Sequence, residues 1–149
     1  MKNYVLCAST DEDSIETLKK IKNDLDLKDA NVHIVNVVEI QVYNSELTPF
    51  IYPDETQYAA IEEATLGILR GLADSLGINN NQLTMRCFFT HNREQKIIEY
   101  LNEARADLVV TATRGKHGLA GFFSSSFTDY LCKFSPCDVL VMRPAKKEN

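Results

Sequence analysis

The chain has 149 residues, of which 44% are hydrophobic and 25% charged, with a net charge of −5 and a pI near 5.2. That is the size of one domain, spanning 1–149, which can bury roughly two-thirds of the surface its unfolded chain exposes. The acidic balance excludes the basic face a nucleic-acid partner requires, and no run approaches the roughly 20 apolar residues of a membrane span.

In chain order, YVLCAS at 4–9 reads as a short apolar strand that ends at Asp11 and Asp13, residue types that start helices. Ile15, Leu18, Ile21 and Leu25 then recur at helical spacing. VHIVNVV at 32–38 is a β-branched run suited to a buried strand. From about 55 to 76, Tyr58, Ile61, Ala64, Ile68, Leu72 and Leu76 share one helical face, and Gly77 is the stop. A third strand follows at 83–89, and then a helix opened by Asn92 that carries Ile97, Ile98, Leu101 and Ala104. LVVTA at 108–112 is a fourth strand, 127–134 a short helix, and 139–142 a last strand. Strands alternating with helices imply right-handed crossovers and an α/β fold, a parallel sheet with helices on both faces.

Between the second strand and second helix lies EIQVYNSELTPFIYP, whose Pro49 and Pro53 forbid a helix and which is expected to be a loop. Loops of this length are commonly lids or binding loops, and Tyr43, Phe50, Ile51 and Tyr52 make this one too apolar for a simple tether. Packing on the domain's own surface and a role as a partner or ligand lid both remain open for it.

Cys7, Cys87, Cys132 and Cys137 sit in apolar runs or beside proline, with no C-x-x-C pair. They read as reduced, buried thiols in a cytoplasmic protein, and the opening MKNYVLCAS lacks the apolar length of a secretory signal. Catalysis has little to stand on. His33 lies inside an apolar strand, His91 in a turn, and His117 has no Ser/Asp relay at motif spacing, so the chain is read as not an enzyme. Asp11, Glu12 and Asp13 either complement a helix N-terminus or hold Mg²⁺ near a triphosphate.

The stretch ATRGKHGLAGFFSSSF, 112–127, joins the fourth strand to the last helix with three glycines, Arg114 and Lys116, where backbone N–H groups and the helix dipole favour an anion. It is neither a Walker loop nor G-x-G-x-x-G, and Ser124–126 serve equally as a capping cluster.

MKNYVLCAS, ADLVVTATRGKHGLAGFF and SPCDVLVMRP together resemble the universal stress protein family over essentially the whole chain. The resemblance implies an open five-stranded parallel sheet of order 3-2-1-4-5, Rossmann-like, and a homodimer built through the C-terminal strand. Nucleotide-binding members are similar in carrying G-x-x-G-x9-G-[ST], and this chain reads Ala112, Gly115, Ser125 and Ser126 there. The family's Asp at the end of the first strand is Ser9 on an ungapped alignment, or Thr10 or Asp11 if the turn shifts. The Gly and Pro that often precede the third helix are His91 and Arg93. The implied ligand is ATP or AMP, and no cofactor is required by the residues themselves. Its candidate contacts are Ala8, Ser9, Val38, Thr111, Ala112, Arg114, Gly115, Ser125, Ser126 and Phe127, with no metal site and no catalytic residue. Phosphates are expected on the N–H groups of Gly115, Ser125 and Ser126, and the adenine between Ala8 and Val38. The expected role is a dimeric stress-response module with a degenerate nucleotide pocket that acts through a protein partner; the alternative is an adenine-nucleotide-binding stress protein with at most slow ATP hydrolysis.

Overall fold

The computed structural model describes residues 1–44, 47–113 and 125–145, Ser125 and Ser126 as backbone only. The first half of the chain gives β1 (Lys2–Cys7), α1 (Glu12–Lys19), β2 (Ala30–Glu39), β3 (Gln41–Tyr43), β4 (Phe50–Tyr52) and α2 (Glu55–Leu76). The second half gives β5 (Leu83–Thr90), α3 (Arg93–Glu103), β6 (Leu108–Ala112), α4 (Ser125–Phe134) and β7 (Asp138–Met142). Five strands form one parallel sheet in the order β5-β2-β1-β6-β7, which is 3-2-1-4-5 once β3 and β4 are set aside.

Helices begin where side chains can satisfy the orphan N–H groups of the first turn. Asp11 caps α1 by accepting from Ser14 N at 3.0 Å, Asn92 caps α3 from Gln95 N at 3.0 Å, and Asp54 forms a reciprocal capping box with Gln57. Gly77 ends α2 at φ 69°, a left-handed conformation that a Cβ would strain.

Alternate residues of each central strand feed opposite layers. Leu6, Ile34 and Val110 pack against Leu18 and Ile21 of the α1 segment and Leu69 and Leu72 of α2. Val5, Val35 and Val109 pack against Ile97 and Leu101 of α3 and Phe127 and Leu131 of α4. A strand buried on both faces must be apolar throughout, as 32–38 nearly is.

Three expectations need correction. The segment 39–53 is not an unstructured loop, because β3 and β4 pair antiparallel with Val42 opposite Ile51 and Tyr43 opposite Phe50. The last helix begins two residues earlier than the apolar run suggested, at Ser125. The thiols are not uniformly buried: Cys7 is, Cys87 and Cys137 are half-buried, and Cys132 is exposed.

Gly67 and Gly71 lie on the exposed face of α2, where an added Cβ meets nothing within 4 Å. Replacing each by Ala is expected to stabilise the protein by about 0.5–1 kcal/mol, since Gly loses the most backbone entropy in a helix. In a domain of this size that raises Tm by about 2–4 °C per kcal/mol, and a scanning calorimeter that recorded a fall instead would show this face is not open in solution.

Candidate functional site

The chain turns one way after β1, toward β2, and the other way after β6, toward β7, so the carboxyl ends of the adjacent strands β1 and β6 flank the reversal in strand order. Ligands of open α/β sheets sit at that reversal. Backbone bonds hold both rims. Ala8 N donates to Val35 O at 2.9 Å, and Thr113 N donates to Met142 O at 2.8 Å. The Asn36 side chain adds a third tie, Nδ2 donating to Ala8 O at 2.7 Å.

Asn36 was not among the residues singled out from sequence. Its signal was present as the one amide inside VHIVNVV, since a buried amide in a central strand demands a partner. It fastens the end of β1 and fixes where Ser9 emerges.

The candidate residues divide. Ala8 and Ala112 are buried in the α1/α2 layer, and Val38 is half-buried at the end of β2. Ser9 is 5% exposed just beyond β1. Thr111 is fully buried, pairs in register with Cys7, and its Oγ1 has no hydrogen-bond partner among the described residues; the same holds for Thr128 Oγ1 in α4. Phe127 is fully buried in the α3/α4 layer. Ser125 and Ser126 open α4, and the first N–H groups of a helix have no acceptor within it. Arg114, Gly115, Lys116, His117 and Ser124 lie outside the described residues.

The acidic residues after β1 take the capping role. Asp11 accepts from Ser14 N, and Glu12 and Asp13 occupy the first turn of α1, where carboxylates complement the helix dipole. Among the described residues no group of His, Cys, Asp and Glu is arranged to hold a metal, and no helix is long and apolar enough to cross a membrane.

His33 is a packed histidine. Its Nδ1 lies 2.7 Å from Tyr100 Oη, and burial together with the nearby Arg86 charge pushes its pKa below the usual value. His91 is exposed in the turn before α3. A cavity of about 520 Å³, lined in part by Lys22, Leu25, Leu76 and Gly77, opens at the amino ends of the strands and holds none of the candidate residues.

Burial drives the Cys7 thiol up from 9.0 to about 12, with the nearby Cys137 adding to the rise. The raised folded-state value means that protonated Cys7 contributes stability that is complete below about pH 9 and lost as pH rises toward 12. His33 acts with the opposite sign, its contribution present above pH 6.5 and lost as pH falls. Stability is therefore expected to fall on both sides of a plateau between these limits. A thiol reagent should label Cys132 first and Cys7 only after denaturation, and prompt labelling of Cys7 in the native protein would contradict its placement.

The universal stress protein family model matches residues 1–143. A Staphylococcus aureus (strain USA300) protein bearing the universal stress protein name is 27% identical over 116 residues, which cover 77% of this chain and 68% of the relative. The crystal structure of a universal stress protein in complex with cAMP superposes with a TM-score of 0.63 at 18% identity, covering 97% of this chain and 98% of that one. The Archaeoglobus fulgidus universal stress protein in complex with dAMP gives 0.64 at 12% identity, covering 95% and 98%. At such identities the two structures show the fold.

Proposed function

The chain belongs to the universal stress protein family, and we propose that it is a single-domain, dimeric stress-response module of the cytoplasm that acts through protein contacts and keeps a degenerate nucleotide pocket. The observation that carries this reading is the end of β1. On the ungapped alignment Ser9, buried at the end of β1, takes the place of the family's aspartate, and Asp11, which takes it if the turn shifts, caps α1. Ser9 offers a sugar hydroxyl no charged acceptor, and the Asp11 carboxylate is already drawn to the first turn of α1. Ala112, 2% exposed, adds a methyl group where close backbone approach is needed.

A second reading, binding of an adenine nucleotide such as ATP or AMP, is favoured by the start of α4. The N–H groups of Ser125 and Ser126 make an anion seat, and the unpartnered hydroxyl of Thr111 lies at the end of the neighbouring strand. Relatives of this fold carry cAMP and dAMP. A nucleotide held here would bring its own phosphates; the chain's contribution would be N–H donors from α4 and apolar walls from Ala8 and Val38.

A thermal-shift titration with ATP, AMP and Mg²⁺ separates the two. Binding at 100 times Kd stabilises the fold by about 2.7 kcal/mol, several degrees in Tm. No shift at millimolar nucleotide is the expected result; a large shift at micromolar nucleotide would establish the second reading.

Dimerisation is proposed through β7, an edge strand whose Val139, Leu140 and Val141 are only half-buried in one chain. An uncovered apolar edge is an aggregation hazard that a second subunit removes. Val141→Asp should dissociate the dimer or unfold it in sedimentation and light-scattering measurements, and a monomeric wild type at micromolar concentration would refute the assembly.

A further inference from the structure

We propose that the β3–β4 hairpin is a docking site for an extended, strand-forming apolar segment of a partner protein flanked by lysine or arginine. The inference rests on the reading that the chain acts through protein contacts, and adds to it the surface and the chemistry of the partner.

The hairpin is rooted firmly and covered poorly. Ile40 N donates to Thr90 O at 2.8 Å, tying its base to the end of β5, and Pro53 is buried at the other end. Beyond that root, Val42, Tyr43, Phe50, Ile51 and Tyr52 are all between 43% and 57% exposed. Side chains alternate across a strand, so Val42 and Ile51 share one face, and Tyr43, Phe50 and Tyr52 the other. The Tyr43 and Phe50 rings stack at 5.1 Å, which organises the second face before any partner arrives. Among the described residues the two strands pair only with each other, which leaves both outer edges open.

A ribbon that is apolar on both faces and open at its edges restricts what can cover it. A helix or a flat surface covers one face. An added strand continues the hydrogen-bond ladder and lays alternate side chains on both faces at once. Isolated two-stranded ribbons are marginal in water, and a third strand is what stabilises them.

Charge selects the partner. From Asp29 to Leu69 the chain has seven aspartates and glutamates and no lysine or arginine, although it has 16 Lys and Arg in all. Glu39 is offset by Arg93 at 3.0 Å, but Asp54 and Glu55 at the hairpin's base and Glu62 and Glu63 on α2 are exposed. A second copy of this face, an anionic membrane and a nucleic acid are all repelled by this acidic stretch of the chain, whereas a basic-flanked segment is drawn to it. The apolar patch is on the order of 450 Å², large for an unused surface and well short of the roughly 800 Å² per partner that a stable dimer buries. That size suits a short segment binding reversibly.

The test uses the full chain and a fluorescent ten-residue peptide in which two lysines bracket six alternating valines and threonines on each side, followed by anisotropy. Saturable binding at micromolar concentration is expected. It should weaken at least about tenfold when glutamates replace the lysines, when a central valine becomes proline, or when the protein carries Phe50→Ser with Ile51→Ser. These two residues are solvent-exposed, so circular dichroism and Tm should hold; Glu55→Lys, at an exposed position three residues after β4, gives an independent variant that should weaken binding without touching the apolar faces. Absence of peptide binding, equal binding of the lysine and glutamate peptides, or binding indifferent to Phe50→Ser with Ile51→Ser would each overturn the proposal. So would adsorption to phosphatidylglycerol vesicles, or self-association that the same double variant abolishes. If wild type and double variant retain the same cellular proteins, the hairpin proposal fails while the protein-contact reading stands; if wild type retains none, that reading itself fails.

Discussion

Phe127→Ala is expected to lower the free energy of unfolding by about 3–5 kcal/mol, the cost of removing a fully buried aromatic side chain and leaving a cavity. The ring sits in α4 beside Leu131, against Val5 and Val109 of the sheet and Ile97 and Leu101 of α3, with no exposed surface. Urea denaturation should show the midpoint falling with little change in slope, and Phe127→Leu, which keeps most of the volume, should recover much of the loss. The substitution also tests the site. If Phe127 is a core residue, the effect appears without nucleotide and is the same with it. A loss below about 1 kcal/mol would mean that α4 does not dock as described.

Restoring the family pattern with Ser9→Asp, Ala112→Gly and Ser125→Gly is expected to strengthen ATP or AMP binding by about 10- to 100-fold. A hydrogen bond to a charged acceptor contributes about 1.5–3 kcal/mol, and each 1.4 kcal/mol is tenfold in affinity. The two glycines let backbone come nearer the ligand than a Cβ permits. Cost accompanies the gain. Position 9 is 5% exposed, so a carboxylate there is stable only with partners, and Ala112→Gly loosens the end of β6 by roughly 0.5–1 kcal/mol. Folding of the triple variant should therefore be verified by circular dichroism before calorimetric titration. A folded triple variant that binds no better than wild type would remove the grounds for an ancestral pocket at this end of the sheet. Tight binding by the wild type would show instead that Ser9 and Ala112 do not limit affinity.

The strands of the central sheet were legible because a strand buried on both faces must be apolar along its length, whatever it packs against. The same holds for β6, read to its observed bounds from LVVTA, and for α2, where Gly77 ends the apolar periodicity in the left-handed conformation that favours glycine. The order of the strands followed from the family resemblance over essentially the whole chain, and the observed sheet has that order. What the sequence could not convey were the features made by pairing. β3 and β4 are three residues each, too short for their periodicity to register, and they are strands only because each supplies the other's hydrogen bonds. Asp11 reads in the sequence as a helix-start residue before it reads as a ligand, and Ser14 N, 3.0 Å away, is the partner that makes it the cap. Phe127 follows a serine run in the sequence and resembles part of a binding loop; its burial is decided by which face of α4 meets α3 and the sheet. Asn36 is one polar letter in an apolar run until Ala8 O, 28 residues earlier, gives it a partner. Local pattern determines an element when the solvent it must exclude is the same in every arrangement, whereas the identity of a contact is fixed only once the chain has chosen its neighbours.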